Sequence, residues 1–161
     1  MPLFTPPDQT IETTSAVFMA NGALTPQTLL LSIIETRYAL TISTIECFFT
    51  AVNATNPTIE LGMYTWSPTG TLLGSATVVP TGPGFWTVSL ATPISLAART
   101  RYYMAYLNRT ASDATTSLGV VGTNTYSTLI SAAMASQTVM PANLASLTTT
   151  NANRLVLRAW S

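Results

Sequence analysis

Residues able to do acid–base, nucleophilic or metal chemistry are scarce in this sequence. There is no histidine, and Cys47 is the single cysteine. The usual general base near neutral pH and the commonest metal ligand are therefore absent, and thiolate metal sites go with them. Serine is plentiful, but no Gly-x-Ser-x-Gly elbow occurs and no imidazole is present to activate a hydroxyl. Paired carboxylates are what remains. The six acids are Asp8, Glu12, Glu35, Glu46, Glu60 and Asp113. Glu46 and Glu60 fall in strand-like segments, where a cross-strand pair of glycosidase type is conceivable. The competing expectation is that such residues face solvent or pair with an arginine such as Arg101. No D-x-D or D-x-N loop suggests calcium. Cys47 lies in the apolar run Ile45-Glu46-Cys47-Phe48-Phe49 and is expected to be a buried, inert thiol. The sequence therefore nominates no catalytic, cofactor-binding or metal-binding residue, and a non-enzymatic protein is expected.

Sugar binding is the chemistry that survives this elimination. Carbohydrate modules stack apolar sugar faces on exposed aromatics, and Trp66, Trp86, Tyr102, Tyr103 and Tyr106 are the candidates. Strand alternation should bury some of each set in the core. Asn53-Ala54-Thr55 and Asn108-Arg109-Thr110 match the glycosylation sequon. The opening MPLFTPPDQT carries an acid and no basic n-region, so no secretory leader is expected and the sequons read as chance matches.

The elements that would position these residues are strands. Ile59 to Leu107 reads as four short strands, punctuated by Ser67-Pro68-Thr69-Gly70, by Pro80-Thr81-Gly82-Pro83-Gly84 and by Ala97-Ala98-Arg99-Thr100. Ile59, Leu61 and Met63 alternate with Glu60 and Gly62, and Trp86, Val88 and Leu90 with Thr87 and Ser89. Four strands a turn apart predict a meander or part of a sandwich. Upstream, strands are expected at about 29–35 and 37–50. In the second, Tyr38, Leu40, Ile42 and Thr44 would share one face, and Ala39, Thr41, Ser43 and Ile45 the other. Residues 15–24 are ambiguous, with Asn21-Gly22 as a turn signal. Downstream, 108–128 reads as a long loop holding one short strand around Leu118–Val121. Residues 129–147 have the best helical look in the chain, ended by Pro141. Residues 153–160 read as a closing strand. The three prolines of residues 1–14 predict an extended N-terminal arm, leaving 15–161 as a single domain. The expected fold is all-β: a two-sheet antiparallel β-sandwich, jelly-roll-like, with little helix.

Charge narrows the partners. Only 7% of the 161 residues are charged, against roughly 25% in ordinary soluble domains. There is no lysine, and six arginines balance the six acids. No basic stripe exists for a nucleic acid and no cationic cluster for an anionic membrane. The apolar runs around Val17–Ala20 and Leu29–Ile34 are too short to span a bilayer. A surface so poor in charge favours association, and cover by other subunits is the expectation; the alternative is a Thr-rich all-β surface, since strands favour Thr on their outer faces.

One family resemblance fits these features. Leu61-Gly62-Met63-Tyr64, Gly70-Thr71-Leu72-Leu73 and Thr100-Arg101-Tyr102-Tyr103-Met104-Ala105 resemble the motifs of a β-sandwich module of tailed-phage virion proteins. Met140-Pro141-Ala142-Asn143-Leu144 and Leu155-Val156-Leu157-Arg158 are similar to its end, so the likeness spans nearly the whole chain. The chain departs at Ala98, where the family usually has glycine. The motifs are turn and core residues and carry no functional site across. The resemblance implies a virion component, expected here as a homotrimeric capsid decoration or cement protein bound to the major capsid protein or other virion proteins. Its alternative is a receptor-binding tail or fibre-tip module that recognises host surface polysaccharide. Neither a cofactor nor a metal is implied.

Overall fold

The computed structural model describes residues 10–12, 20–23, 25–113, 115–121, 131–150, 154–155 and 157–160. Its strands are β1 (Thr10–Glu12), β2 (Ala20–Ala23), β3 (Leu29–Glu35), β4 (Leu40–Ala51), β5 (Ile59–Thr65), β6 (Leu72–Val78), β7 (Gly84–Leu96), β8 (Arg101–Asn108), β9 (Ser117–Val121), β10 (Ser131–Met134), β11 (Thr148–Thr150), β12 (Arg154–Leu155) and β13 (Leu157–Trp160). They form two antiparallel sheets, and no helix occurs among the described residues. One sheet runs β1-β13-β4-β9-β12, with β2 beside β9 and β7 beside β4; the other runs β11-β10-β3-β8-β5-β6. The chain is the all-β sandwich that its short, turn-punctuated strands predict.

The run from Ile59 to Leu107 is divided between the sheets and is not a meander. β5 and β6 form a hairpin in one sheet, β7 crosses to pair with β4, and β8 returns to lie between β3 and β5. This alternation between layers is jelly-roll-like. It lets Ile59, Leu61 and Met63 of β5 and Tyr102, Met104 and Tyr106 of β8 face Ile45, Cys47 and Phe49 of β4 and Val88, Leu90 and Ile94 of β7. Cys47 is buried there as expected, and burial, then the nearby Glu46 carboxylate, push its thiol up.

A second apolar layer lies on the other face of the β8 sheet. Leu29, Leu31, Tyr64, Tyr103, Ala105 and Leu107 pack there against Ala132, Met134, Met140 and Leu144. Both faces of β5 and β8 are therefore buried, and the Glu60 and Gly62 positions are interior, not solvent-facing. The cover comes from the 129–147 segment with the helical look. Its described part forms β10 against β3, then an irregular stretch pinned at Leu72 N→Ala142 O (2.9 Å), Leu144 N→Gly70 O (2.8 Å) and Gln137 N→Gln27 O (2.7 Å). The weak helical spacing loses to these long-range pairings, and Pro141 has no amide to continue a helix.

Three further expectations change. In β4 the buried positions are Ile42, Ile45, Cys47 and Phe49, so the face flips between Ile42 and Ile45. The register against β7 breaks at this point, where the pairing passes from Ile42↔Ile94 to Thr44↔Ser89, and an odd mismatch between two paired strands reverses the later side chains. Tyr38 lies before β4, in the bend that follows β3, and is 70% exposed. Asn21-Gly22 is not a turn: both sit inside β2, opposite Gly119 and Leu118 of β9, where pairing along the whole segment overrides the local signal. Of the proposed arm, Thr10–Glu12 pairs with β13, and the remainder of 1–14 lies outside the described residues. Residues 122–130 of the expected loop and segment also lie outside them, as do Asn153 and Val156 of the closing strand.

The β3–β4 and β7–β8 turns are tied together at Thr36. Its amide donates to Thr100 O (3.0 Å), its carbonyl accepts from Arg99 N (2.7 Å), and its buried hydroxyl donates to Ala97 O and accepts from Thr100 N (3.2 Å). The left-handed residue of that turn is Arg99 (φ 53°), so the missing glycine at position 98 imposes no strain of that kind.

Candidate functional site

The two strand carboxylates do not meet. Glu46 lies on β4, opposite Thr87 and Arg158, while Glu60 lies on the outer face of the other sheet beneath the 138–142 segment. A catalytic pair from these residues is excluded by the sandwich between them. Glu60 is 5% exposed and acts as a polar peg. Oε1 accepts from Ser75 Oγ (2.7 Å), Oε2 accepts from the Met140 amide (3.1 Å), and Arg109 Nε stands 3.9 Å from Oε2. Arg109 Nε also donates to Thr138 O (2.8 Å), so this ion pair, not one with Arg101, holds the cover. Beside it, Tyr64 donates to Pro141 O (2.9 Å), and burial, then the Glu60 charge, push its phenol well up. These are positioning contacts between elements distant in sequence.

Asp113 is the other buried carboxylate among the described residues. Burial alone would push its carboxyl up, but hydrogen bonds from Thr116 (hydroxyl and amide), the Asn108 side-chain amide and the Thr115 amide outweigh it and hold the group below its usual range. With the folded-state pKa depressed, its stabilisation is present above the unfolded value near ~3.9 and is lost as pH falls through the folded value. The melting temperature of wild type is expected to fall on acidification below about pH 4, and Asp113→Asn to flatten part of that fall while lowering stability at pH 7. Thermal melts across pH check this; parallel curves for both proteins would contradict it. The same bonds consume Asn108, whose side chain is buried, so the second sequon is closed to modification chemistry.

The five aromatic candidates separate sharply. Tyr102, Tyr103 and Tyr106 are buried, and the Trp86 indole is partly buried with Nε1 donating to Gly82 O (2.9 Å). Trp66 alone of the five is exposed, at 48%. It follows β5 directly and lies beside Tyr103, whose phenol burial pushes up. The Arg101 guanidinium lies over that ring, 5.1 Å from its centroid, and donates through Nε to Glu35 Oε2 (3.1 Å). Glu35 and Arg101 are opposite each other where β3 ends and β8 begins, and Tyr102 is opposite Thr65, so strand register assembles the group. An exposed ion pair of this kind contributes at most about 1 kcal/mol to folding. Its effect is to orient Arg101 over the Trp66 ring. Sequence reasoning finds Trp66 and Arg101 separately but not Glu35, because the register joining them is set by long-range pairing.

The geometry defines an antiparallel β-sandwich with a buried polar peg and one oriented surface tryptophan. Among the described residues no three acidic or cysteine side chains cluster to hold a metal ion, and no helix is long and apolar enough to cross a membrane. The family model described as "Domain of unknown function (DUF4082)" matches residues 34–153, most of the chain, and the protein belongs to that family. No curated protein matches it.

Proposed function

We propose that the protein is a non-enzymatic structural subunit of a tailed-phage virion, a homotrimer seated on the particle exterior as capsid decoration or cement. The observation that carries this reading is how little charge the fold leaves outside. Glu60 and Asp113 are spent on internal hydrogen bonds, and the exposed Glu35 and Arg101 neutralise each other. The outward positions of β7, such as Thr87, Ser89, Ala91 and Ser95, are small or hydroxylated. Such a surface has nothing to keep copies apart and suits dense packing on a lattice. The decisive experiment adds labelled protein to purified capsids that lack it. Saturable binding that raises the temperature at which the shells open supports the role; no binding at micromolar concentration removes it.

A second reading, a receptor-binding module for cell-surface polysaccharide, is favoured by Trp66 alone. It predicts retention on host polysaccharide that Trp66→Ala weakens by about tenfold or more while the melting temperature stays close to wild type. A glycan array blank at high protein concentration would remove this reading.

A further inference from the structure

Between Glu60 and Arg99 the chain carries no charged residue at all. That neutral stretch is not scattered over the fold. It contains all of β6 and β7, which among the described residues pair only with β5 and with β4, respectively. They are the outer strands of the two sheets on one side of the sandwich, where Gly74 of β6 lies against Ile94 of β7; a Cβ added to Gly74 would sit 3.2 Å from Ile94 Cδ1. Three exposed large apolar residues, Leu73, Val79 and Phe85, belong to this same side, and Phe85 stacks on Phe48 with ring centroids 4.8 Å apart.

An outer strand presents main-chain donors and acceptors that another strand can use. Soluble proteins guard such edges with lysine, inward charges, proline or bulges. Here the irregular points are confined to Leu73, at the β5–β6 register shift, and to Leu90–Pro93, opposite the shift in β4. The regular stretches Gly74–Val78 and Gly84–Ser89 hold neither proline nor charge. We propose that this β6–β7 side is where copies of the chain meet, β7 of one subunit docking along β6 of the next. The partner is a second copy because the surface is neutral. It offers no field to steer a charged partner, and two copies meeting through these strands suffer no like-charge repulsion. Two different edges side by side give the head-to-tail contact that closes a ring. Main-chain hydrogen bonds supply the register, and Leu73, Val79 and Phe85 supply the apolar burial. The inference rests on the self-association reading above and names its surface.

The test is the light-scattering mass of wild type, of Thr77→Lys/Thr87→Lys, and of Ala135→Lys as an exposed control directly after β10, across the sheet from β6. The expected result is an oligomer for wild type and the control, and a roughly threefold lower mass for the double lysine variant with an unchanged far-ultraviolet spectrum. A double variant that stays oligomeric overturns the edge while leaving self-association standing. A monomeric wild type overturns both. Should the double variant fail to fold, hydrogen exchange of wild type decides. Amides of Gly74–Val78 and Gly84–Ser89 that lose protection on dilution to monomer support the contact, and protection independent of concentration overturns it.

Discussion

Glu60→Ala is expected to destabilise the protein by about 2–4 kcal/mol. The carboxylate has three dependants. Without it, the Met140 amide is left buried and unpaired, Ser75 Oγ loses its 2.7 Å acceptor, and Arg109 loses its counter-charge. The first loss dominates, because an unpaired buried N–H costs its full desolvation. The Arg109 contribution is smaller, since its side chain is 37% exposed and water screens the 3.9 Å pair. Glu60→Gln retains a carbonyl oxygen for one donor and is expected to cost about half as much. Urea unfolding measures both, and hydrogen exchange at Met140 and Leu144 shows whether the cover opens first. A loss below ~0.5 kcal/mol for Glu60→Ala would mean that the peg does not hold the segment.

Gly62→Ala is expected to cost about 2–3 kcal/mol for a single methyl group. An added Cβ would stand 2.8 Å from Gly74 O, 2.8 Å from Met140 Sδ and 2.9 Å from Ser75 Cβ. The methionine side chain can swing away, but Gly74 and Ser75 belong to the adjacent strand and are fixed by its ladder. Combining Gly62→Ala with Met140→Ala is therefore expected not to restore stability. Full rescue would show that the crowding is only the methionine's. The need for glycine here comes from close approach; no positive φ is recorded at Gly62.

These two residues also show what the sequence could and could not reveal. Alternation placed Ile59, Leu61 and Met63 in the core correctly, because period two is local and needs only the residues themselves. It left Glu60 to face solvent or pair with an arginine, with Gly62 on the same face, the ordinary outcome when one face of a sheet is wet. Their burial depends on residues 132–144 folding over that face, and those residues, rich in alanine and methionine, advertise a helix more than a cover. The flip in β4 left a readable trace: Ile42 and Ile45 are three apart, a spacing that unbroken alternation cannot bury on one face. The Trp66 group left none. Glu35, Trp66 and Arg101 are scattered through the chain and meet only through the register of β3, β8 and β5. The absence of charge from Leu61 to Ala98 was visible from the start, but its placement along a single side of the sandwich required the topology.

The central claim is that this neutral β-sandwich is a self-associating subunit. The most direct measurement is the solution mass of wild type by light scattering, in low and in high salt. The account predicts three times the 17.1 kDa chain mass, unchanged between about 0.05 and 1 M salt because β6 and β7 carry no charged residue. A stable 17.1 kDa monomer at high concentration would contradict it.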